Sequence, residues 1–189
     1  MKETNALIEE FRRRWQALGG LFFRAENIAQ LTESIRHAWD ELVVADTDGL
    51  QTVVYWADAS WDGINWSALI PANVVRWDGS TAMRSVTERA VLGITGCAWA
   101  IAATGSVALY STPETGLLPS VLPPSHLVLV RADDVVETVA DGLRRVPRPA
   151  MPPLMKIVTG PSMTADIEGT LVTGVHGPGR VAAIVYGPS

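Results

Sequence analysis

Two short runs constrain this chain most: His126 to Val130 (HLVLV) and Val181 to Tyr186 (VAAIVY). Each is nearly continuous in apolar side chains rather than alternating. A strand of that kind is buried on both faces, which is the habit of a parallel sheet covered by helices and not of a half-wetted antiparallel one. The rest of the chain agrees, with 48% hydrophobic and 19% charged residues and a mean hydropathy of +0.18. At 189 residues a single domain buries roughly 70% of its unfolded surface and needs neither metal nor disulfide to hold together. The expected fold class is therefore α/β, three layers (α/β/α) around a mostly parallel sheet.

Helices and strands can be placed around these runs. Leu7, Ile8, Phe11, Trp15 and Leu18 fall on one stripe at helical spacing, and Gly19-Gly20 ends it, so a helix is expected over 5–18. Its stripe covers either the body of the chain or a partner. An N-terminal helical segment, 1–20, thus precedes one α/β domain over 21–189. Asn27 followed by Gln30 reads as a capping box opening a helix over 28–38. Strands are expected at Thr52–Trp56, Val74–Trp77, Val107–Tyr110 and Ile157–Thr159, and a helix from Ser80 to about Ala90. A further helix is expected from Asp133-Asp134 to about Arg145, with acids at its start and arginines at its end as the helix dipole favours. Residues 58–70 carry Trp61, Ile64, Trp66 and Leu69 among Asp, Gly and Asn, and read as a short helix or an irregular cover. Residues 147–153 hold four prolines and make a connector. The seven tryptophans read mostly as packing, with a cluster lining a cleft as the alternative.

Charge and cysteine content exclude several classes. The net charge is −5, and the densest basic run, Arg12 to Arg14, is interleaved with Glu9 and Glu10 as a solvated helix face, not a nucleic-acid track. One cysteine, Cys97, rules out an internal disulfide and a self-contained four-cysteine iron–sulfur site; among small apolar neighbours it reads as an inert buried thiol. His37, His126 and His176 are scattered and form no ligand motif, so no metal site is expected. No apolar stretch has the length of a membrane span, and the charged N-terminus is unlike a signal segment, so the cytoplasm is the expected compartment.

Three segments are candidates for chemistry. In Gly160-Pro161-Ser162-Met163-Thr164-Ala165-Asp166-Ile167-Glu168 a strand feeds a glycine turn, and strand ends at the carboxyl side of an open α/β sheet are the usual ligand crevice. Exposed backbone N–H groups, with Ser162 or Thr164 capping a short helix, suit an anion. In Gly174-Val175-His176-Gly177-Pro178-Gly179, His176 is the histidine best placed to act near neutral pH, and His126 at a strand start is expected to face the same crevice. Thr104-Gly105-Ser106 forms a turn without a nucleophile-elbow pattern, and Gly93, Gly96 and Gly105 lack dinucleotide-fingerprint spacing. Turn-and-cap structure is the competing reading for each.

Taken together, Gly93-Ile94-Thr95-Gly96, Ala100-Ile101-Ala102 with Thr104-Gly105-Ser106, Leu122-Pro123-Pro124 with His126, Thr159-Gly160-Pro161-Ser162, Thr164 to Gly169 and Gly174 to Pro178 closely resemble the LUD domain of the lactate utilisation protein C family (LutC/YkgG). The resemblance is strong over about 85–186. It implies a NagB/RpiA/CoA-transferase-like fold and an accessory role in bacterial L-lactate utilisation, beside iron–sulfur partner proteins that oxidise lactate to pyruvate, with no cofactor of its own. A homo-oligomer and a small anionic ligand are further expected partners. The alternative is a small-anion or CoA-ester binder or enzyme using the Gly160–Glu168 loop, with Thr104, Gly105, Ser106, His126, Gly160, Ser162, Thr164 and Asp166 binding, and Glu168 (a carboxylate able to act as acyl-transfer nucleophile) and His176 in catalytic roles. Three positions depart from the family pattern: Ala103 where an acid is common, Leu117 or Leu118 after Gly116 where an arginine is, and Met163 where Arg or Lys is.

Overall fold

A computed structural model describes residues 2–44, 50–61, 63–112, 114–146, 151–165, 171–174 and 176–188. In chain order the elements are α1 (Lys2–Ala17), β1 (Leu21–Ala25), α2 (Ile28–Leu42), β2 (Thr52–Tyr55), α3 (Trp66–Leu69), β3 (Asn73–Arg76), α4 (Met83–Glu88), β4 (Leu92–Thr95), β5 (Trp99–Ile101), β6 (Ser106–Ser111), β7 (Ser125–Arg131), β8 (Val135–Val136), α5 (Val139–Arg144), β9 (Leu154–Val158), β10 (Met163–Ala165), β11 (Leu171–Thr173) and β12 (Arg180–Tyr186). Short 3-10 turns lie at Ala59–Trp61, Leu118–Ser120 and Ala132–Asp134.

Six strands form one sheet in the order β1-β12-β7-β4-β2-β3, and every neighbouring pair is parallel. The two apolar runs are its central strands, and the side chains of β7 are buried throughout except Arg131. Their alternation feeds two cores. Leu127, Leu129, Ala182 and Ile184 pack with Leu31, Ile35, Ala38 and Leu42 of α2. Val128, Val130, Ala183 and Val185 pack with Ile8, Phe11 and Trp15 of α1. Both faces are therefore covered, as the runs require, and the fold is the expected three-layer α/β arrangement. All seven tryptophans are buried.

The layer that holds α1 also contains a second sheet, ordered β8-β5-β6-β9, in which β6 is antiparallel to both β5 and β9. Ala100, Val107 and Val135 of this sheet, with Ala102 just after β5, join the α1 core. A third, two-stranded ladder pairs β10 with β11.

Local differences from the sequence expectations have simple causes. The helix expected from Asp133 begins only at Val139. The intervening Val135 and Val136 are β-branched and pair with Ala100 and Ile101, while Thr138 and Asp141 form a reciprocal capping box that fixes the true start. Asn27 caps α2 by accepting from the Gln30 N–H, but the Gln30 side chain accepts from the Glu26 N–H instead of closing the box on Asn27. Residues 58–70 resolve into a 3-10 turn and the single turn of α3, with Trp61, Trp66 and Leu69 pointing inward.

Candidate functional site

The strand that leads into the Gly160 loop is β9, which belongs to the smaller sheet. The loop therefore reaches the amino ends of β12 and β7, not the carboxyl crevice of the parallel sheet. Backbone bonds hold it there. Ser162 N–H donates to Pro178 O at 2.8 Å, Gly174 N–H to Ser162 O at 2.9 Å, and Gly179 N–H to Pro124 O at 3.0 Å. Gly160 adopts φ +74°, and a Cβ there would stand 2.9 Å from Leu18 Cβ at the end of the α1 segment. Ser162 lies beside Gly177, so the Gly-Pro-Ser turn and the His176 loop are joined. His176 itself is exposed. Asp166 and Glu168 lie outside the described residues, as does the side chain of Thr164.

The middle motif comes to the same region. Thr104 Oγ1 donates to Ser106 Oγ at 2.8 Å, and Ser106 Oγ is 2.9 Å from Thr159 Oγ1, the residue before Gly160. Ser106 is 2% exposed. Gly105, at φ +64°, lies directly under α1, where a Cβ would come within 2.7 Å of the Arg14 and Trp15 backbone. A hydroxyl chain, Thr104–Ser106–Thr159, thus links β6 and the end of β9 in the smaller sheet, while Gly105 and Gly160 let their turns pack closely against Arg14, Trp15 and Leu18. A basin of about 600 Å³ opens at this amino edge, bordered by Leu42, Ser125, Gly174, Gly179 and Arg180. Ser125 Oγ and Arg180 Nη1 both donate to Leu42 O, at 2.8 and 3.3 Å, closing the C-terminus of α2 and leaving a guanidinium at the rim.

His126 does not join them at that basin. It follows Ser125 on β7 and points to the opposite face, fully buried. Its Nε2 is 2.8 Å from Thr95 Oγ1, and its Nδ1 is covered with no partner among the described residues. Burial, with the nearby Lys156 ammonium, pushes its pKa down to about 3, so the ring is neutral. Lys156 Nζ donates to Ser120 O at 2.9 Å, and burial lowers its pKa to about 8.

A second cavity fits the alternative reading of the tryptophans as lining a cleft, although its place in the fold was not legible in the sequence. In the larger sheet the chain leaves β2 toward β3 on one side, and after β4 its next strand in that sheet is β7 on the other. The gap between the carboxyl ends of β2 and β4 is the topological switch point, where open α/β sheets usually take ligands. There Trp56, Asp58, Trp61, Cys97 and Tyr110, with Thr112 and Thr115, line a crevice of about 210 Å³. Burial, reinforced by the Asp134 carboxylate, raises the Cys97 thiol well above its ordinary range, so it is protonated and not a nucleophile near neutral pH. Among the described residues no group of three or more His, Cys, Asp and Glu side chains is placed to hold a metal ion, and no helix is long and apolar enough to cross a membrane.

Comparison with known proteins agrees with the gathered motifs. The model of the LUD domain matches residues 8–186. Lactate utilization protein C of Shouchella clausii is 31% identical over 155 residues, covering 78% of this chain and 67% of that protein. The uncharacterized protein YkgG of Escherichia coli is 29% identical over 165 residues, covering 82% of this chain and 71% of that protein. The crystal structure of a DUF162 family protein from Deinococcus radiodurans superposes with a TM-score of 0.67 at 26% identity, over 97% of this chain and 98% of that one. On these matches the chain belongs to the LUD domain family of LutC/YkgG type.

Proposed function

We propose that this chain is an accessory component of bacterial L-lactate utilisation, working beside iron–sulfur proteins that carry electrons from lactate as it is oxidised to pyruvate. The carrying observation is the family match across residues 8–186, with relatives that bear the lactate utilisation name. Its single cysteine fits a division of labour in which cluster ligands come from partner chains. The hydroxyl chain and glycine turns at the amino edge then serve to build a surface rather than a redox centre. The test is to purify a tagged chain from cells growing on L-lactate. Cysteine-rich, iron-containing proteins should co-purify, and deletion of the chain should stop growth on lactate but not on glucose. Normal growth with no iron-bearing partner would overturn the reading.

A second reading is favoured by the basin at the amino edge. Arg180 at its rim and the glycine-rich loop beside it suit a small anion or the phosphates of a CoA ester. Binding of inorganic phosphate or acetyl-CoA that is lost in Arg180→Ala would support it. A Glu168→Gln chain that binds but no longer turns over an acyl-CoA would extend it to catalysis.

A further inference from the structure

The crevice at the carboxyl ends of β2 and β4 has a chemistry of its own, opposite to that of the amino-edge basin. Trp56 and Trp61 wall it, and both indole N–H groups are already used elsewhere. Trp56 Nε1 donates to Gly116 O at 2.9 Å, and Trp61 Nε1 to Tyr186 Oη at 3.2 Å. What these rings offer a guest is therefore carbon and π surface, not a donor. Gly96 and Ala98 line it with little side chain; a Cβ on Gly96 would stand 3.6 Å from the Trp61 ring.

The charges at this crevice are negative. Asp58 lines it, and its Oδ1 accepts from the Ser60 N–H at 2.9 Å and from Ser60 Oγ, which fixes the carboxylate in place. Thr112, which also lines it, donates its Oγ1 hydrogen to Glu114 Oε2 at 2.9 Å. Of the arginines near this end, Arg131 and Arg145 face Asp134, at 3.8 and 3.6 Å, and Arg76 lines a smaller neighbouring cavity that shares Asp58 and Trp61; none of the three lines the crevice itself. Among the described residues no lysine or arginine borders it. A carboxylate ligand would find no cation among the lining residues.

Aromatic walls with a fixed carboxylate and no cation in the lining form the combination that selects organic cations, through cation–π attraction and charge pairing together. The volume, about 210 Å³, is below the range of drug-sized pockets, roughly 300–1,000 Å³, and suits a single ring or a small ammonium head. The geometry points to a binding site here for a small, flat or compact organic cation, held against Trp56 and Trp61 with its charge toward Asp58. The site is separate from the amino-edge basin and does not depend on the reading of the chain as a lactate-utilisation component.

A matched set of one-ring probes tests this on the unaltered protein: benzamidine, benzamide and benzoate, which share a shape and differ in charge. Tryptophan fluorescence and ligand-observed NMR report binding. Benzamidine should bind saturably, benzamide more weakly, and benzoate not at all. Asp58→Asn should weaken benzamidine roughly tenfold, the scale of one charge-assisted contact, while leaving benzamide unchanged. Gly96→Leu should abolish binding by filling the crevice, with circular dichroism confirming the fold. Benzoate binding as well as benzamidine, failure of all three probes to bind, or benzamidine binding unaffected by both variants would each overturn the proposal.

Discussion

The ring of His126 has Nε2 2.8 Å from Thr95 Oγ1 and a covered Nδ1 with no partner among the described residues. Protonation would require both nitrogens to donate in a fully buried space, which is why the folded pKa falls to about 3. The unfolded chain titrates its histidines near 6.5. Between these values the unfolded state binds the extra proton, so stability is full above about pH 6.5 and declines as pH falls, by about 1.4 kcal/mol per pH unit. Urea midpoints measured from pH 6.5 to 4 should show this slope on top of that from carboxylates. A His126→Gln chain should lose one proton's worth of it, and an unchanged slope would sink this account. Gly93, the register partner of His126, gives a second residue-scale prediction. A Cβ there would stand 1.7 Å from the Pro119 carbonyl oxygen. Backbone cannot yield as a side chain can, so Gly93→Ala should cost about 3 kcal/mol by denaturant unfolding. The sequence showed Gly93 as part of a family motif but not what presses on it, because Pro119 arrives from a distant turn.

Among the elements, legibility followed how much of each structure is decided locally. β7 and β12 could be read because burial on both faces leaves a continuous apolar run. α2 could be read from its cap and stripe. β5 and β8 could not: Trp99–Ile101 and Val135–Val136 are too short to carry a period, and they are strands only because they pair with each other and with β6. The charge pattern after Asp133 then suggested a longer helix than the valines permit. Thr138 decides where α5 begins, accepting from the Asp141 N–H while the Asp141 carboxylate accepts from the Thr138 N–H and hydroxyl. That bond, with the Arg144 guanidinium as a lesser cause, holds the Asp141 carboxyl below its usual range. Thr138→Ala should therefore destabilise the fold by about 1 kcal/mol, and Thr138→Ser should recover most of it. Equal losses in the two variants would mean that the methyl group, not the cap, is what matters.

At the scale of the molecule, the two sheets need something to fix one against the other, and α1 is placed to do so. Trp15 is fully buried; its Nε1 donates to Leu21 O at 2.8 Å at the start of β1, and its ring lies over Gly20. On its other side the α1 backbone rests on Gly105, in the turn between β5 and β6. The same helix thus touches the edge of the larger sheet and the turn that carries the Thr104–Ser106–Thr159 hydroxyl chain. The sequence left open whether this stripe covers its own chain or a partner, because the spacing of Phe11 and Trp15 records only that they are covered. The site was half legible for a related reason: the motif residues were visible, but their edge of the sheet was set by β9 joining the smaller sheet, and the crevice beside Trp56 and Cys97 exists only through strand order. Trp15→Ala should remove about 3–5 kcal/mol, and the loss should not be local. Hydrogen exchange should show β1 and the β5–β6 turn losing protection together, because both rest on the same indole and helix. Deprotection confined to α1 would instead make the helix an appendage, and would return its apolar stripe to the role of a docking surface for another chain.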